Sequence, residues 1–254
     1  MIIRIPQTRI TFDHSITSPK NRPAQVMEVM ETDKQIKSKK RVTDHGEVFT
    51  AEREVNAMLD LVKQETERID SRFLEPACGT GNFLVAILKR KLAIVESRYA
   101  KSPLELERHA IIAIASIYGV DILKDNVQTC QDRLLGVVTH FYVANCKKDC
   151  KPEFLQSAEF ILKRNILWGD ALTLRTPDEL AQPIIFSEWS APFNDSTIKR
   201  RDYTMANLLE SQPIDGMNLF SDLGEKAFIP TPVADFPLIH FLKLATDDNN
   251  ELQP

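Results

Sequence analysis

Apolar residues recur along the chain with two different spacings, and these spacings predict its helices and strands. Val55, Met58, Leu59 and Val62 follow the i, i+3, i+4, i+7 pattern of one helix face, which predicts a helix running to about Arg68. Short apolar runs between the helical segments predict four strands, at residues 72–74, 118–120, 165–167 and 183–186. This alternating order favours an α/β fold whose mostly parallel sheet is covered by helices on both faces.

Start signals support several of the helices. Thr50 is placed as the N-cap of the first helix. Ser102, Pro103 and Glu105 occupy the N-cap, N1 and N3 positions of a capping box, which predicts a helix start there. The remaining helices are predicted near residues 82–92, 124–143, 152–163 and 203–210.

Composition indicates a soluble globular protein. The chain has 254 residues, 43% of them hydrophobic, and a net charge of −4, which argues against a strongly basic nucleic-acid binder. No apolar run approaches the ~20 residues of a membrane span, so no membrane partner is expected. Four cysteines without an extracellular signal predict reduced thiols and a cytoplasmic protein. Cys130, His140, Cys146 and Cys150 lack a C-x₂-C pair, so no metal is expected.

Three regions are expected along the chain. Residues 1–43 form an N-terminal arm with a basic segment, residues 44–190 form the main domain, and residues 191–254 form a C-terminal extension with a disordered tail. The basic triplet 199–201 is either a phosphate contact or a solvated group of charges.

Candidate chemistry concentrates in residues 73–83, which read Phe-Leu-Glu-Pro-Ala-Cys-Gly-Thr-Gly-Asn-Phe. A strand enters a turn in which Gly79 and Gly81 let a ligand approach the backbone, and the following helix points free N–H groups at that turn. Glu75 favours hydroxyl or ammonium groups over a phosphate. No lysine follows the second glycine, which excludes a P-loop, and the dinucleotide spacing G-x-G-x-x-G is missing.

This stretch resembles the cofactor motif of S-adenosylmethionine (SAM) dependent DNA methyltransferases that modify adenine N6, especially the restriction-modification type. The resemblance implies a Rossmann-like methyltransferase fold that is truncated after the fourth strand, SAM as cofactor, and DNA as partner. The alternative is a strand-to-helix turn of another α/β protein. The residues that the resemblance places at the cofactor are Glu75, Pro76, Ala77, Cys78, Gly79, Gly81, Asn82 and Phe83.

Two later positions resemble further motifs of that family. Asp121 and Ile122 follow the second strand, where the family's acid binds the ribose hydroxyls and the next residue packs on adenine. Asp121 is also explained as a helix cap. Asp170 and Ala171 follow the third strand, where the family's aspartate accepts from the adenine amino group.

Residues 45–50 resemble the family's element upstream of the cofactor motif. Phe49 and Thr50 would cover the methionine end of SAM. Ala51 stands where the family more often has proline. A plain helix cap explains Thr50 almost as well.

The resemblance breaks after the fourth strand. The Asn/Asp-Pro-Pro-aromatic motif that binds the target base in the family occurs nowhere, and Ser187, Glu188 and Trp189 stand in its place as candidate catalytic residues. In one hypothesis Glu188 accepts from the target amino group and Trp189 stacks on the flipped base. In the other the loop is structural, Trp189 is buried under the C-terminal segment, and catalysis is absent or belongs to a partner.

The sequence therefore favours a SAM-dependent methyltransferase of the DNA adenine-N6 type. Too few residues follow Ser190 for a target-recognition domain, so a partner protein is expected to supply recognition. The alternatives are a SAM-binding but inactive subunit of a modification or defence complex, and a methyltransferase acting on RNA, protein or a small molecule.

Overall fold

A computed structural model of the chain describes residues 50–146, 149–193, 195–210 and 231–246. The predictions for the N-terminal arm, for Phe49 and for the tail after residue 246 lie outside these described residues.

Helices and strands alternate along most of the described chain. The first half contains α1 (Glu52–Asp60), α2 (Lys63–Thr66), β1 (Phe73–Glu75), α3 (Asn82–Tyr99), α4 (Pro103–Ile114), β2 (Ile117–Asp121) and α5 (Lys124–Cys146). The second half contains α6 (Pro152–Asn165), β3 (Ile166–Trp168), β4 (Ile185–Ser190), β5 (Thr197–Thr204), α7 (Met205–Glu210), β6 (Ala234–Asp235), β7 (Ile239–His240) and a 3₁₀ turn (Phe241–Lys243).

The first three strands form a parallel sheet with β2 in the centre. Phe73 lies opposite Ile117, and Gly119 lies opposite Ile166. Parallel strands need long crossovers, and here α3 with α4 and α5 with α6 supply them. The chain is thus an α/β protein, compatible with a Rossmann-like fold. The ends of the strands define a carboxyl edge, after Glu75, Asp121 and Trp168, and an amino edge on the opposite side.

The four long helices α3 to α6 share one hydrophobic core with one face of the sheet. Phe73, Ile117 and Ile166 belong to this core, which follows from the alternation of side chains along a strand. Ile198 and Phe241 belong to it too. Part of the C-terminal extension therefore packs into the main core.

The other face of the sheet has a different cover. Leu74, Tyr118 and Val120 cluster there with Ile184, Phe186 and Met205. These covering residues come from β4, the residue before it and the first residue of α7. Long helices therefore cover only one face in the described chain, whereas β4 and the start of the short helix α7 cover the other.

The fourth strand differs from its prediction. It runs from Ile185 to Ser190 and pairs antiparallel with β5, from Ile185 opposite Thr204 to Ser190 opposite Lys199. The antiparallel partner, which the sequence pattern did not predict, carries alternating buried residues. Strand β5 also pairs with β6 and β7, so strands continue beyond the predicted truncation.

Helix starts follow the predicted positions only in part. Ala51, and not Thr50, is the N-cap of α1, and the Glu54 carboxylate accepts from the Ala51 N–H at 3.4 Å. The first helix ends at Asp60 rather than near residue 68. The fourth starts at Pro103 as predicted, although the Ser102 side chain makes no capping hydrogen bond.

The cysteines also depart from expectation. Cys146 and Cys150 form a disulfide, whereas Cys78 and Cys130 are free and buried. The prediction that all four are reduced thiols is wrong for the first pair. Within the described ranges, no helix has the length and apolar character needed to cross a membrane.

Candidate functional site

The glycine turn (residues 76–81) joins β1 to α3 at the carboxyl edge. The Cys78 N–H donates to the Val120 carbonyl at 2.9 Å, and the Gly81 N–H donates to the Cys78 carbonyl at 2.8 Å. Gly79 and Gly81 have φ values of 52° and 83°, a region that side chains with a Cβ rarely adopt. The two glycines are therefore required by the backbone path of the turn.

Close packing beneath the turn adds a second reason for glycine. A Cβ on Gly81 would lie 2.5 Å from the Sγ of Cys130 in α5. One on Gly119 would lie 3.0 Å from the Sγ of Cys78. A hydrogen bond to Cys130, together with burial, raises the pKa of Cys78. Cys78, which the resemblance places at the cofactor, thus has a buried sulfur that packs beneath the turn, and Cys130 is a neighbour that the sequence did not indicate.

Asp121 links the end of β2 to the glycine turn. Its Oδ2 accepts from the Gly79 N–H at 2.8 Å, and its Oδ1 accepts from the Leu123 N–H at 2.9 Å and the Asn126 side chain at 3.3 Å. The carboxylate therefore orders the start of α5 and also holds the turn. Because Oδ2 accepts one hydrogen bond in the described chain and offers two lone-pair directions, it retains acceptor capacity.

Glu75 ends β1 beside Asp121. Its Oε2 is buried and has no hydrogen-bond partner among the described residues. Loss of hydration raises the pKa of Glu75 to about 8, and the Asp121 carboxylate adds to the rise. A buried acceptor without a partner is costly in a folded protein, so this oxygen is suited to a ligand donor.

Ile122 presents an apolar surface at the same edge. Its side chain is 45% exposed, although it follows a fully buried strand. The Trp168 indole N–H donates to the Ile122 carbonyl at 2.9 Å, and the Lys124 ammonium lies 3.8 Å from the Trp168 ring centre. These contacts fix the segment after β2 against the end of β3.

Asp170 lies just beyond β3 and shapes its own turn. Its Oδ1 accepts from the Leu172 N–H at 2.8 Å, and its Oδ2 accepts from the Thr173 hydroxyl at 3.1 Å. Ala171 lies within this turn and is half-buried. The turn thus brings both residues to the edge that carries Glu75 and Asp121.

The beginning of α3 contacts the chain ahead of α1. The Asn82 side chain donates to the Thr50 carbonyl at 3.0 Å. Pro76 is half-buried and Ala77 exposed in the turn. Phe83 is different, because its side chain is buried in the main core. A side-chain contact of Phe83 with a cofactor is therefore not supported.

Arg133 in α5 is a site residue that sequence reasoning missed. Its Nη1 donates to the Thr80 carbonyl at 2.6 Å, the Thr80 hydroxyl at 3.1 Å and the Asn82 amide oxygen at 2.7 Å. Cys130 and Arg133 are three residues apart and so share one helix face. The sequence predicted a helix over residues 124–143, so the three-residue spacing could have shown that these two side chains lie on the same face.

The candidate catalytic residues lie elsewhere. Trp189 is 1% exposed, and its indole donates to the Asn165 amide oxygen at 3.2 Å. Glu188 pairs with Arg72, the residue before β1, at 3.5 Å. Asn165 immediately precedes β3, so both contacts lie at the amino edge. These contacts agree with the hypothesis in which the loop is structural and Trp189 is buried, and they do not support the one in which Glu188 and Trp189 contact a target base.

Ser187 and the basic triplet belong to the same structural network. The Ser187 hydroxyl donates to Asp202 at 2.7 Å, and Arg200 pairs with Asp202 at 2.6 Å. Lys199 and Arg201 both pair with Asp235. All three charges therefore have carboxylate partners; Arg200 is buried, whereas Lys199 and Arg201 remain partly exposed. A phosphate contact of the triplet stays a prediction.

Comparisons of the chain with protein-family models, with curated proteins and with solved structures find no match. An adenosyl cofactor fits the groups present, because Glu75 offers a buried acceptor that has no partner among the described residues, Asp121 offers spare acceptor capacity, and Ile122 offers an apolar surface.

Proposed function

We propose that the carboxyl edge of the sheet binds SAM and that the chain is a SAM-dependent methyltransferase of the DNA adenine-N6 type. The observation that carries the proposal is the bond from the Gly79 N–H to Asp121 at 2.8 Å. It ties a glycine turn to the acid on the neighbouring strand, which is the arrangement of nucleotide pockets in parallel α/β sheets. The sequence resemblance at both positions supports the choice of SAM.

Each residue at this edge has a specific task in the proposal. Asp121 accepts from the ribose hydroxyls, because adjacent hydroxyl donors suit a carboxylate. Ile122 packs on the adenine ring, and Asp170 accepts from the adenine amino group. Glu75 accepts from a donor at its unpartnered Oε2, for which the ammonium group of the amino-acid part is a suitable candidate.

Bound SAM supplies a methyl group on a sulfonium, which is already a reactive donor. The chain's own residues contribute by binding and orienting this donor, because alignment of donor and acceptor removes much of the entropic barrier. The glycine turn provides close backbone approach, and the exposed side of Ile122 fixes the ring. The target enters from the open carboxyl edge.

A second candidate function is a SAM-binding subunit whose partner protein binds the target. The burial of Trp189 and the ion pair of Glu188 favour it, because both residues are committed to structure at the amino edge. In this version DNA recognition and the acceptor contacts come from another chain. The acceptor could also be RNA, a protein or a small molecule in place of DNA, and the transfer assay below distinguishes between acceptors.

Titration calorimetry with SAM and with its demethylated product tests the cofactor assignment. We expect saturable binding of both, weakened in Asp121→Asn and unchanged in Arg98→Gln, a surface control on α3. No heat at millimolar SAM with a folded protein would contradict the proposal. Transfer of radiolabel from SAM to DNA, RNA or protein, alone and with proteins encoded nearby, then separates an enzyme from a subunit.

A further inference from the structure

The guanidinium of Arg133 joins two segments that are far apart in the chain. Through Nη1 it contacts Thr80 in the glycine turn and Asn82 at the start of α3. Asn82 uses its other amide atom to donate to the Thr50 carbonyl at 3.0 Å. A continuous chain of hydrogen bonds therefore runs from α5 through the turn to the residue ahead of α1.

The helix that carries Arg133 is well placed for this task. One turn earlier, the Cys130 sulfur packs directly against Gly81 from below. The base of α5 is fixed by Asp121, which accepts from Leu123 and Asn126. The turn is thus contacted twice by the same face of α5, through the Cys130 sulfur and the Arg133 guanidinium, while the start of this helix is tied to Asp121, the proposed ribose-binding acid.

The start of α3 has few other restraints. Gly81 is its N-cap, no side chain caps it, and its first turn contains no acidic residue. The Thr80 carbonyl and hydroxyl are bonded to Arg133. All three acceptors are reached by the single nitrogen Nη1, and the guanidinium keeps its positive charge throughout the physiological pH range.

We infer that Arg133 is a positioning residue that couples the glycine turn to the chain entering α1, so that ligand binding at the turn and the placement of Thr50 are linked. This inference rests on the proposed function, because the ligand is SAM. Arg133 acts through Thr80 and Asn82 and does not itself touch the reacting atoms. Removing it loosens both segments together.

The test compares Arg133→Gln and Arg133→Lys with Arg98→Gln, which removes the same charge from an exposed arginine of α3 that has no ion pair in the described chain. Calorimetry should give about 10- to 100-fold weaker SAM binding for Arg133→Gln, the usual effect of losing charge-assisted hydrogen bonds. Arg133→Lys should recover part of this loss, and Arg98→Gln should bind like the wild type. The melting temperature should change little, because Arg133 is exposed.

A double-mutant cycle with Asn82→Ala measures the coupling. If the hydrogen-bond chain acts as a unit, the double variant loses less affinity than the sum of the single variants. Additive losses, or wild-type affinity in Arg133→Gln, would overturn the inference.

Hydrogen exchange without ligand separates this inference from the proposed function. In Arg133→Gln the amides of Gly81 and Ala51 should both exchange faster than in the wild type and in Arg98→Gln. This readout needs no SAM, so it remains decisive if the wild type fails to bind SAM. Faster exchange at Gly81 alone would show that the two segments are not coupled and would overturn the inference.

Discussion

The two edges of the parallel sheet differ in whether their buried polar groups have hydrogen-bond partners within the described chain. At the amino edge, Trp189 is bonded to Asn165, and the Asn165 side chain in turn donates to the Ile117 carbonyl at 3.1 Å. At the carboxyl edge, the Glu75 Oε2 is buried and has no partner in the part of the chain that the structure describes, and Ile122 is exposed. The hydrogen bonds at the amino edge close that end of the core. At the carboxyl edge, a ligand would give the buried acceptor a hydrogen bond and would cover the exposed apolar side chain, and both changes are favourable.

Whether a polar side chain already has partners within the fold distinguishes structural from candidate ligand-binding residues better than the residue type does. Glu188 and Glu75 are both acids within strands, yet Glu188 pairs with two arginines, whereas burial raises the pKa of Glu75 to about 8. An acid with paired cations is held in place for stability. One that is partly desolvated and unpaired is the better candidate for function.

Truncating Trp189 should have the largest effect and should act on stability alone. Trp189→Ala leaves a large cavity between α6 and the β4–β5 pair and should lower the free energy of unfolding by about 3–5 kcal/mol. Trp189→Phe should lose less stability, since it keeps much of the aromatic volume, although it loses the hydrogen bond to Asn165. Urea unfolding checks both. SAM affinity of the folded variants should equal that of the wild type, and a selective loss of affinity would place the tryptophan at the pocket after all.

Gly81→Ala should damage the carboxyl edge next most. The residue has φ of 83°, and its new Cβ would meet the Cys130 sulfur at 2.5 Å, so we expect about 2–4 kcal/mol of destabilisation. Cys130→Ala in the same chain removes the clash but not the backbone strain and should recover about half. Thermal unfolding measures the set, and full stability in Gly81→Ala would show that the turn tolerates another path.

Asp121→Ala should weaken SAM binding by about 1–3 kcal/mol, the typical cost of losing a charged hydrogen-bond partner. Because Asp121 also accepts hydrogen bonds from the backbone N–H groups of Gly79 and Leu123, the melting temperature of the variant should fall as well. Asp121→Asn is the matched variant: it keeps the shape of the side chain and one acceptor oxygen, so it should retain part of these hydrogen bonds and lose less stability than Asp121→Ala. Calorimetry and thermal unfolding together test this, and unchanged affinity would reduce Asp121 to a helix cap.

Glu75 should give the smallest effect, visible as a pH dependence. Its pKa is about 8 in the folded protein against an ordinary value of 4.5, so between these values the folded protein holds a proton that the unfolded chain has lost. Stability should therefore fall as the pH rises through this window, by roughly 1–2 kcal/mol after allowing for partial solvent access.

Glu75→Gln, which cannot ionise, should flatten that slope in unfolding experiments at pH 5 to 9. A ligand donor at Oε2 favours the carboxylate, so SAM affinity should rise with pH over the same range in the wild type only. An equal slope in both proteins would assign the pH dependence to another group.

Local signals predicted most of the α/β half of the chain. The run from Phe73 to Gly81 predicts a strand, a turn and a helix because its glycines and apolar periodicity act within a few residues. Pro103 marks a helix start for the same reason. The parallel order of β1, β2 and β3 follows from the crossovers between them.

The tertiary structure alone decided what the residues after strand three do. The segment containing Glu188 and Trp189 gives the same local pattern whether its strand pairs with a parallel or an antiparallel neighbour. Its partner β5 follows after a short loop, and the packing of this strand pair against α6 places Trp189 in the core. Arg133 and Cys130 reach the glycine turn only because α5 packs across it, which no spacing within the turn can encode. The sequence by itself determined the turn, because short-range backbone preferences dictate it. Which distant residues surround the turn, and which edge receives the tryptophan, depended on long-range packing.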